Sequence, residues 1–155
     1  MTLSDLIKTL EIVASHQPSI KMVVENDIFR LNAKADARYG VFAFVQQQHT
    51  TSTESNFITY SFTLFYVDRL KNDRSNQLEI QSVGIQTLDN IIRTLDEIGI
   101  YADTDYSFQV FNQRFVDECA GVFCKVSLQV PVSSMCSESF ADFLKTDFNN
   151  DFMIF

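Results

Sequence analysis

The sequence has few of the residues that enzymes use to build phosphate-binding loops. It contains four glycines, two prolines and no tryptophan in 155 residues. The glycines stand 15 to 44 residues apart, so a glycine-rich phosphate cradle cannot be built, and the P-loop and dinucleotide-binding motifs are absent. The nucleophile motif Gly-x-Ser-x-Gly is absent too. These absences remove the common sequence signatures of nucleotide-dependent and hydrolytic enzymes.

Positive charge and long apolar runs are also scarce. Twelve basic residues stand against 20 acidic ones, for a net charge of −8. Non-specific binding to nucleic acid or to an anionic membrane needs positive charge, so the composition disfavours both partners. No apolar run reaches the roughly 18 residues of a membrane helix. The N-terminus is amphipathic and acidic early, which is not typical of a secretory signal.

The three cysteines are an odd number without a sign of secretion, so we expect reduced thiols. Cys119 and Cys124 lack the second pair, or the matched histidines, that a zinc site requires. Asp117 and Glu118 precede them, but neighbours on an extended chain point in opposite directions. The segment therefore has two interpretations. It is either a metal site or a hydrolase site that uses the two acids, or it is a solvated corner that leads into a core strand. The pattern favours the corner, and we expect no catalytic residue, metal or cofactor.

What the sequence does contain is the pattern of an α+β domain. Apolar spacings of three and four predict a helix over 3–15 and a longer one from about Asn76 to Ile98, capped by Gly99. Strict alternation predicts a strand over 57–68, and weaker strand patterns occupy 20–31, the start of 40–50, 107–116 and 122–131. Segments 49–56 and 101–107 are predicted loops. The buried stripe predicted for the long helix is Leu78, Ile85, Leu88, Ile92 and Leu95, with Ile91 beside it.

The order of these elements is α-β-β-β-α-β-β, with helices and strands in separate blocks. Such segregation predicts an α+β fold, here an antiparallel or mixed sheet with two helices packed on one face. We assign this domain to residues 1–132 and a C-terminal aromatic and acidic arm to 133–155. Apolar anchors at helical spacing fill grooves on partners, but a third helix returning to the domain's own core explains the same composition. The candidate interface residues of the arm are Phe140, Phe143, Phe148, Phe152 and Phe155.

Three segments carry a resemblance to a known family. One is the first helix running into HQPSIKMVVENDIF. The second is YSFTLFYVDRLKNDRSNQLEIQSVGIQTLDNII, and the third is FNQRFVDECAGVFCKVSLQVP. From Leu3 to Pro131 the chain resembles the small tail-completion or neck proteins of phages that infect Bacteroidetes, including crAss-like phages. Its element order also resembles the tail-terminator proteins of long-tailed phages.

The resemblance implies a structural virion protein and no enzyme. It implies a homo-oligomeric ring, made in the cytoplasm of the host bacterium, that connects head to tail or completes the tail. Its partners would be adjacent portal, neck or tail proteins, with DNA passing through the lumen without specific binding and no membrane involved. The alternative from another class is a phage-encoded acidic module that binds a host protein.

Overall fold

The computed structural model describes residues 1–25, 40–103, 105–114 and 118–132. Within them the chain is α+β, as expected, with two helices and one mixed sheet of seven strands. The helices are α1 (Leu3–Ser15) and α2 (Gln77–Glu97). The strands are β1 (Met22–Glu25), β2 (Val41–Gln46), β3 (Thr50–Thr51), β4 (Phe57–Arg69), β5 (Tyr101–Ala102), β6 (Phe108–Arg114) and β7 (Glu118–Pro131).

Two long antiparallel strands form the centre of the sheet. β4 pairs with β7 along its whole length, from Phe57 opposite Pro131 to Arg69 opposite Cys119. The order across the sheet is β1-β2-β4-β7, after which β5 and β6 pair with different parts of β7. β1 runs parallel to β2, and the other pairs are antiparallel. The predicted alternation of 57–68 and 122–130 follows from this arrangement, because only one face of the pair meets the helices.

Two short strands occupy segments that were predicted to be loops. Thr50–Thr51 forms β3 on β4, and Tyr101–Ala102 forms β5 on β7. Both pair with main-chain groups of the long strands outside the stretches matched to β2 and β6. Main-chain pairing of this kind does not require apolar side chains, so the polar sequence of these segments did not indicate the two strands.

The helix ends follow their sequence signals. Thr2 caps α1, and a capping box joins Thr2 and Asp5 in both directions. Gly99 follows α2 at a φ of 91°, in the left-handed region that favours glycine. The N–H of Gly99 donates to Asp96, and that of Ile100 donates to the Leu95 carbonyl at 2.9 Å, a Schellman ending. Neither described helix has the combination of length and apolar content that a membrane span requires.

Both helices pack on one face of the sheet, around one large core. Leu6 and Leu10 of α1 and Leu88 and Leu95 of α2 join Phe62 of β4 in it, and all five are fully buried. The predicted stripe of α2 is partly wrong. Leu78 is 75% exposed and Ile85 is 39% exposed. The buried residues of α2 are Ile80, Gly84, Thr87, Leu88, Ile91, Ile92 and Leu95.

The error in the stripe has a steric cause. A Cβ on Gly84 would stand 2.9 Å from side-chain atoms of both Tyr66 and Val122. The helix therefore lies close against the sheet at a residue without a side chain, and a pattern of apolar residues does not register that contact. Thr87 lies on the same face, where its hydroxyl meets that of Ser19 at 2.6 Å.

Candidate functional site

Cys119 and Cys124, the two cysteines considered for a metal site, lie on opposite faces of β7. Cys124 belongs to the core under the helices, whereas Cys119 belongs to a small cluster on the other face. Both side chains are buried. Burial, reinforced by the charge of Asp89, raises the pKa of Cys124 to about 11, so this thiol stays protonated near neutral pH. The two sulfurs do not form a joint site, and Cys136 lies outside the described residues.

The acids singled out in the sequence are not gathered into a site by the described part of the chain. Two further acids, Asp103 and Asp105, precede β6 and are both exposed. Asp117 lies outside the described residues, and for Glu118 only the backbone is described. Within the described ranges no group of three or more histidine, cysteine, aspartate or glutamate side chains could hold a metal ion.

A carboxylate pair that the sequence did not indicate joins α1 and β1. Burial, followed by the charge and hydrogen bond of Glu25, raises the pKa of Glu11 above its ordinary value. The two residues are far apart in sequence and carry no motif, so only the packing of helix against strand reveals them.

One surface cavity of about 480 Å³ is lined by Asp89 and Arg93 of α2 and by residues 105–108. Asp89 is its most connected residue. Its carboxylate accepts a 2.6 Å hydrogen bond from the Tyr106 hydroxyl and a 2.7 Å bond from Arg93 Nε. Burial raises the pKa of Asp89, but the bonds from Tyr106 and Arg93 outweigh it and hold the pKa below its ordinary range. Burial and the same bond raise the pKa of Tyr106 to about 12. The three groups satisfy one another and tie α2 to the chain before β6.

Replacing Tyr106 with phenylalanine is expected to reduce the stability at pH 7 by about 1 kcal/mol, the usual net value of one hydrogen bond. Because the folded-state pKa of Asp89 is lowered, its stabilisation is present above the ordinary value of 3.8 and is lost as the pH falls through the folded pKa. The loss should therefore shrink toward pH 3. Urea unfolding at both pH values measures it, with Tyr101→Phe on exposed β5 as the control. An equal loss at both pH values contradicts this account.

A second cavity, of about 440 Å³, opens where β2 and β4 meet the start of α2. Its lining includes the charged residues Lys21, Lys71, Asp68 and Glu79 and the buried Tyr66. The Tyr66 hydroxyl donates to Asp68 Oδ2 at 3.3 Å. Two positive and two negative side chains balance each other, so the lining selects neither an anion nor a cation.

The third feature is the face of the sheet opposite the helices, which we name the open face. Five residues there are fully or almost fully buried and form a second, smaller cluster: Val24, Val41, Ala43, Val67 and Cys119. Among the described residues no helix packs on this cluster; Met22, Phe65 and Phe111 cover part of it.

Three phenylalanine rings from three strands form an aromatic cluster on the open face. Phe65 of β4, Phe111 of β6 and Phe123 of β7 contact one another with ring centroids 5.8 to 6.3 Å apart. These spacings lie within the favourable range for aromatic pairs. All three side chains are only partly buried. A two-sided sheet with partly exposed rings on its second face is a surface suited to a protein partner.

The register explains why these rings meet. Phe65 is directly opposite Phe123, and Phe111 is directly opposite Gly121, which leaves room for its ring. The sequence signalled only part of this, through the apolar residues on both phases of 57–68. The contributions of β6 and β7 depend on strand order and register, for which no signal was recognised. The five phenylalanines predicted as interface residues, Phe140, Phe143, Phe148, Phe152 and Phe155, lie outside the described residues.

No protein-family model matches the sequence, and a search of curated proteins gave no significant match.

Proposed function

We propose that this chain is a structural subunit of a phage neck or tail, which forms a ring by contacts between subunits. The observation that carries the proposal is the open face, a partly exposed aromatic surface on the side of the sheet away from the helices. The three rings of this face stay partly exposed, although the other face of the sheet holds the large core under the helices. Burial of aromatic side chains against a neighbour is a common source of binding energy at protein interfaces.

The fold supports a ring of the tail-terminator kind. Two helices on one face of a mixed sheet agree with the general arrangement that the resemblance implies, and the long β4–β7 pair gives each subunit a stiff central element. When one surface of a subunit binds a different surface of the next, a rotation that closes produces a ring. The head-to-tail contact then repeats at every interface, and portal or tail proteins occupy the two ends.

The net negative charge of the chain suits a ring through which DNA passes. With a charge of −8 per chain, subunits repel phosphate and do not retain DNA that passes through the middle. The chain therefore connects parts of the particle without retaining nucleic acid, and its activity is assembly.

The proposal is tested by the native mass of the full chain and by its location. A closed multimer of constant mass across a range of concentrations is the expected result in light scattering. Mass spectrometry of purified virions should find the chain at the copy number of a ring. A chain that is monomeric and absent from virions contradicts the proposal. Recovery of a single host protein with the full chain would instead support the acidic binding module.

A further inference from the structure

The open face differs in charge from the rest of this acidic protein. Its described strand positions include no aspartate or glutamate. The charged residues at those positions are Arg69 on β4 and Lys125 on β7, and Lys125 stands two residues from Phe123 on the same face. In a chain with 20 acids and 12 bases, this surface combines aromatic rings with positive charge. Such a surface selects a partner that carries both apolar anchors and carboxylates.

Residues 133–155 of the same chain have that chemistry. The segment holds five of the fifteen phenylalanines, spaced by three or four residues within the groups 140–143 and 148–155. Side chains at this spacing share one side of a helix, the pattern of segments that fill apolar grooves. One lysine, Lys145, accompanies four acids: Glu138, which precedes the first phenylalanine, and Asp142, Asp147 and Asp151, which stand between phenylalanines.

Residues 133–155 also begin at a point from which they can reach a neighbouring subunit. β7 ends at Pro131, and the N–H of Val132 donates to the Asn56 carbonyl at 2.7 Å. Phe123 lies about 30 Å back along β7 from Val132, at roughly 3.3 Å per residue. The chain thus leaves the sheet at the end far from the aromatic cluster. An extended segment from 133 to 155 reaches roughly 75 Å, which is far enough to meet the open face of an adjacent subunit.

We infer that residues 133–155 of one copy bind the open face of a neighbouring copy, with phenylalanines packed on Phe65, Phe111 and Phe123 and carboxylates beside Lys125. The inference rests on the proposed ring, because it supplies that ring's repeating contact between two different surfaces. The segment and the open face are two different surfaces. Each subunit therefore binds one neighbour through its segment and the other neighbour through its open face.

Complementation between two damaged full-length chains tests the inference. The face variant carries Phe123→Ser and Lys125→Glu, and the segment variant carries serine at all five phenylalanines of 133–155. Each variant lacks one half of the contact. We expect each alone to be monomeric by light scattering, whereas an equimolar mixture forms a one-to-one pair. Loss of a central aromatic anchor should weaken the contact about 30-fold or more.

Two further variants guard against a misfolded face. Lys125 is exposed, so Lys125→Glu alone should preserve the circular dichroism spectrum and weaken assembly about fivefold, as expected for an exposed charge pair. The matched control is Val110→Ser with Lys71→Glu. Val110 is 54% exposed at a position on the helix side of β6, and Lys71 is exposed in the turn before α2. This control should assemble like the wild type.

The outcomes separate the two proposals. A wild-type ring with both variants still assembled, or with no pair on mixing, overturns the docking inference and leaves the ring to another contact. A monomeric wild type whose variants do form a pair shows that the segment binds the open face of its own copy, and it overturns both the docking on a neighbour and the ring. A monomeric wild type with no pair on mixing overturns both, because the segment then does not bind the open face of any copy.

Discussion

Gly121→Ala is expected to lower the free energy of unfolding by about 3 kcal/mol, at the upper end of the usual cost of overpacking. A Cβ at this position would collide with the carbonyl oxygen of Tyr66 on β4 and would stand 2.8 Å from the Phe111 ring. The carbonyl belongs to the backbone of a central strand and cannot move without disturbing the β4–β7 ladder. Urea unfolding followed by circular dichroism measures the loss.

A double variant separates the two contacts of Gly121. Phe111→Ala removes the ring but leaves the Tyr66 carbonyl in place, so combining it with Gly121→Ala should not restore stability. If the double variant is as stable as Phe111→Ala alone, the ring is the only obstacle and the explanation based on the carbonyl is wrong. Lys125→Ala, two residues beyond Phe123 on the same face, serves as a surface control and should leave stability within about 0.5 kcal/mol of the wild type.

Three of the four glycines make room for the same residue. Besides Gly121, a Cβ on Gly40 would stand 2.7 Å from the Tyr66 hydroxyl, and one on Gly84 would stand 2.9 Å from Tyr66 Cδ1. Tyr66 is 2% exposed, with β2, β7 and α2 closing around it. From the sequence these glycines could be excluded as a phosphate cradle, but their positive role depends on which segments meet in space.

Periodic features were the ones the sequence predicted well. The bounds of α1 agree with its apolar spacing, and the inward phase of β4 and β7 agrees with strict alternation. In both cases one side of an element is buried and the other is not, so apolar residues recur in the sequence with the period of the helix or strand. For α2 the bounds were right, but the side assigned to the core was shifted, because Gly84 and Thr87 occupy part of the contact surface.

Features that depend on pairing were not predicted. The parallel contact of β1 with β2 and the two-residue strands β3 and β5 arise from backbone hydrogen bonds. The aromatic cluster of the open face brings together Phe65, Phe111 and Phe123 from three strands, so it requires register as well as order. The phenylalanines of 133–155 were recognised by composition alone, and their assignment to an interface stays a prediction.

The two faces of β4 should respond differently to the same substitution. Phe62→Ala is expected to cost about 4 kcal/mol, typical of a fully buried phenylalanine. Its side chain is 0% exposed and contacts Phe44 and His49 at ring-centroid distances of 6.1 and 5.7 Å. Phe65→Ala, three residues away on the open face, removes a partly buried ring and should cost roughly 2 kcal/mol.

Stability and assembly then separate the roles of the two rings. Urea unfolding should rank Phe62→Ala as the more damaging change, since Phe62 belongs to the core under the helices. If the open face binds a neighbour, light scattering should reverse the order at concentrations where both variants are folded. Phe65→Ala should then lose assembly, because its ring belongs to the contact surface, and Phe62→Ala should keep it. Equal stability losses would show that the open face is part of the folding core, and would remove the physical basis for treating it as an interface.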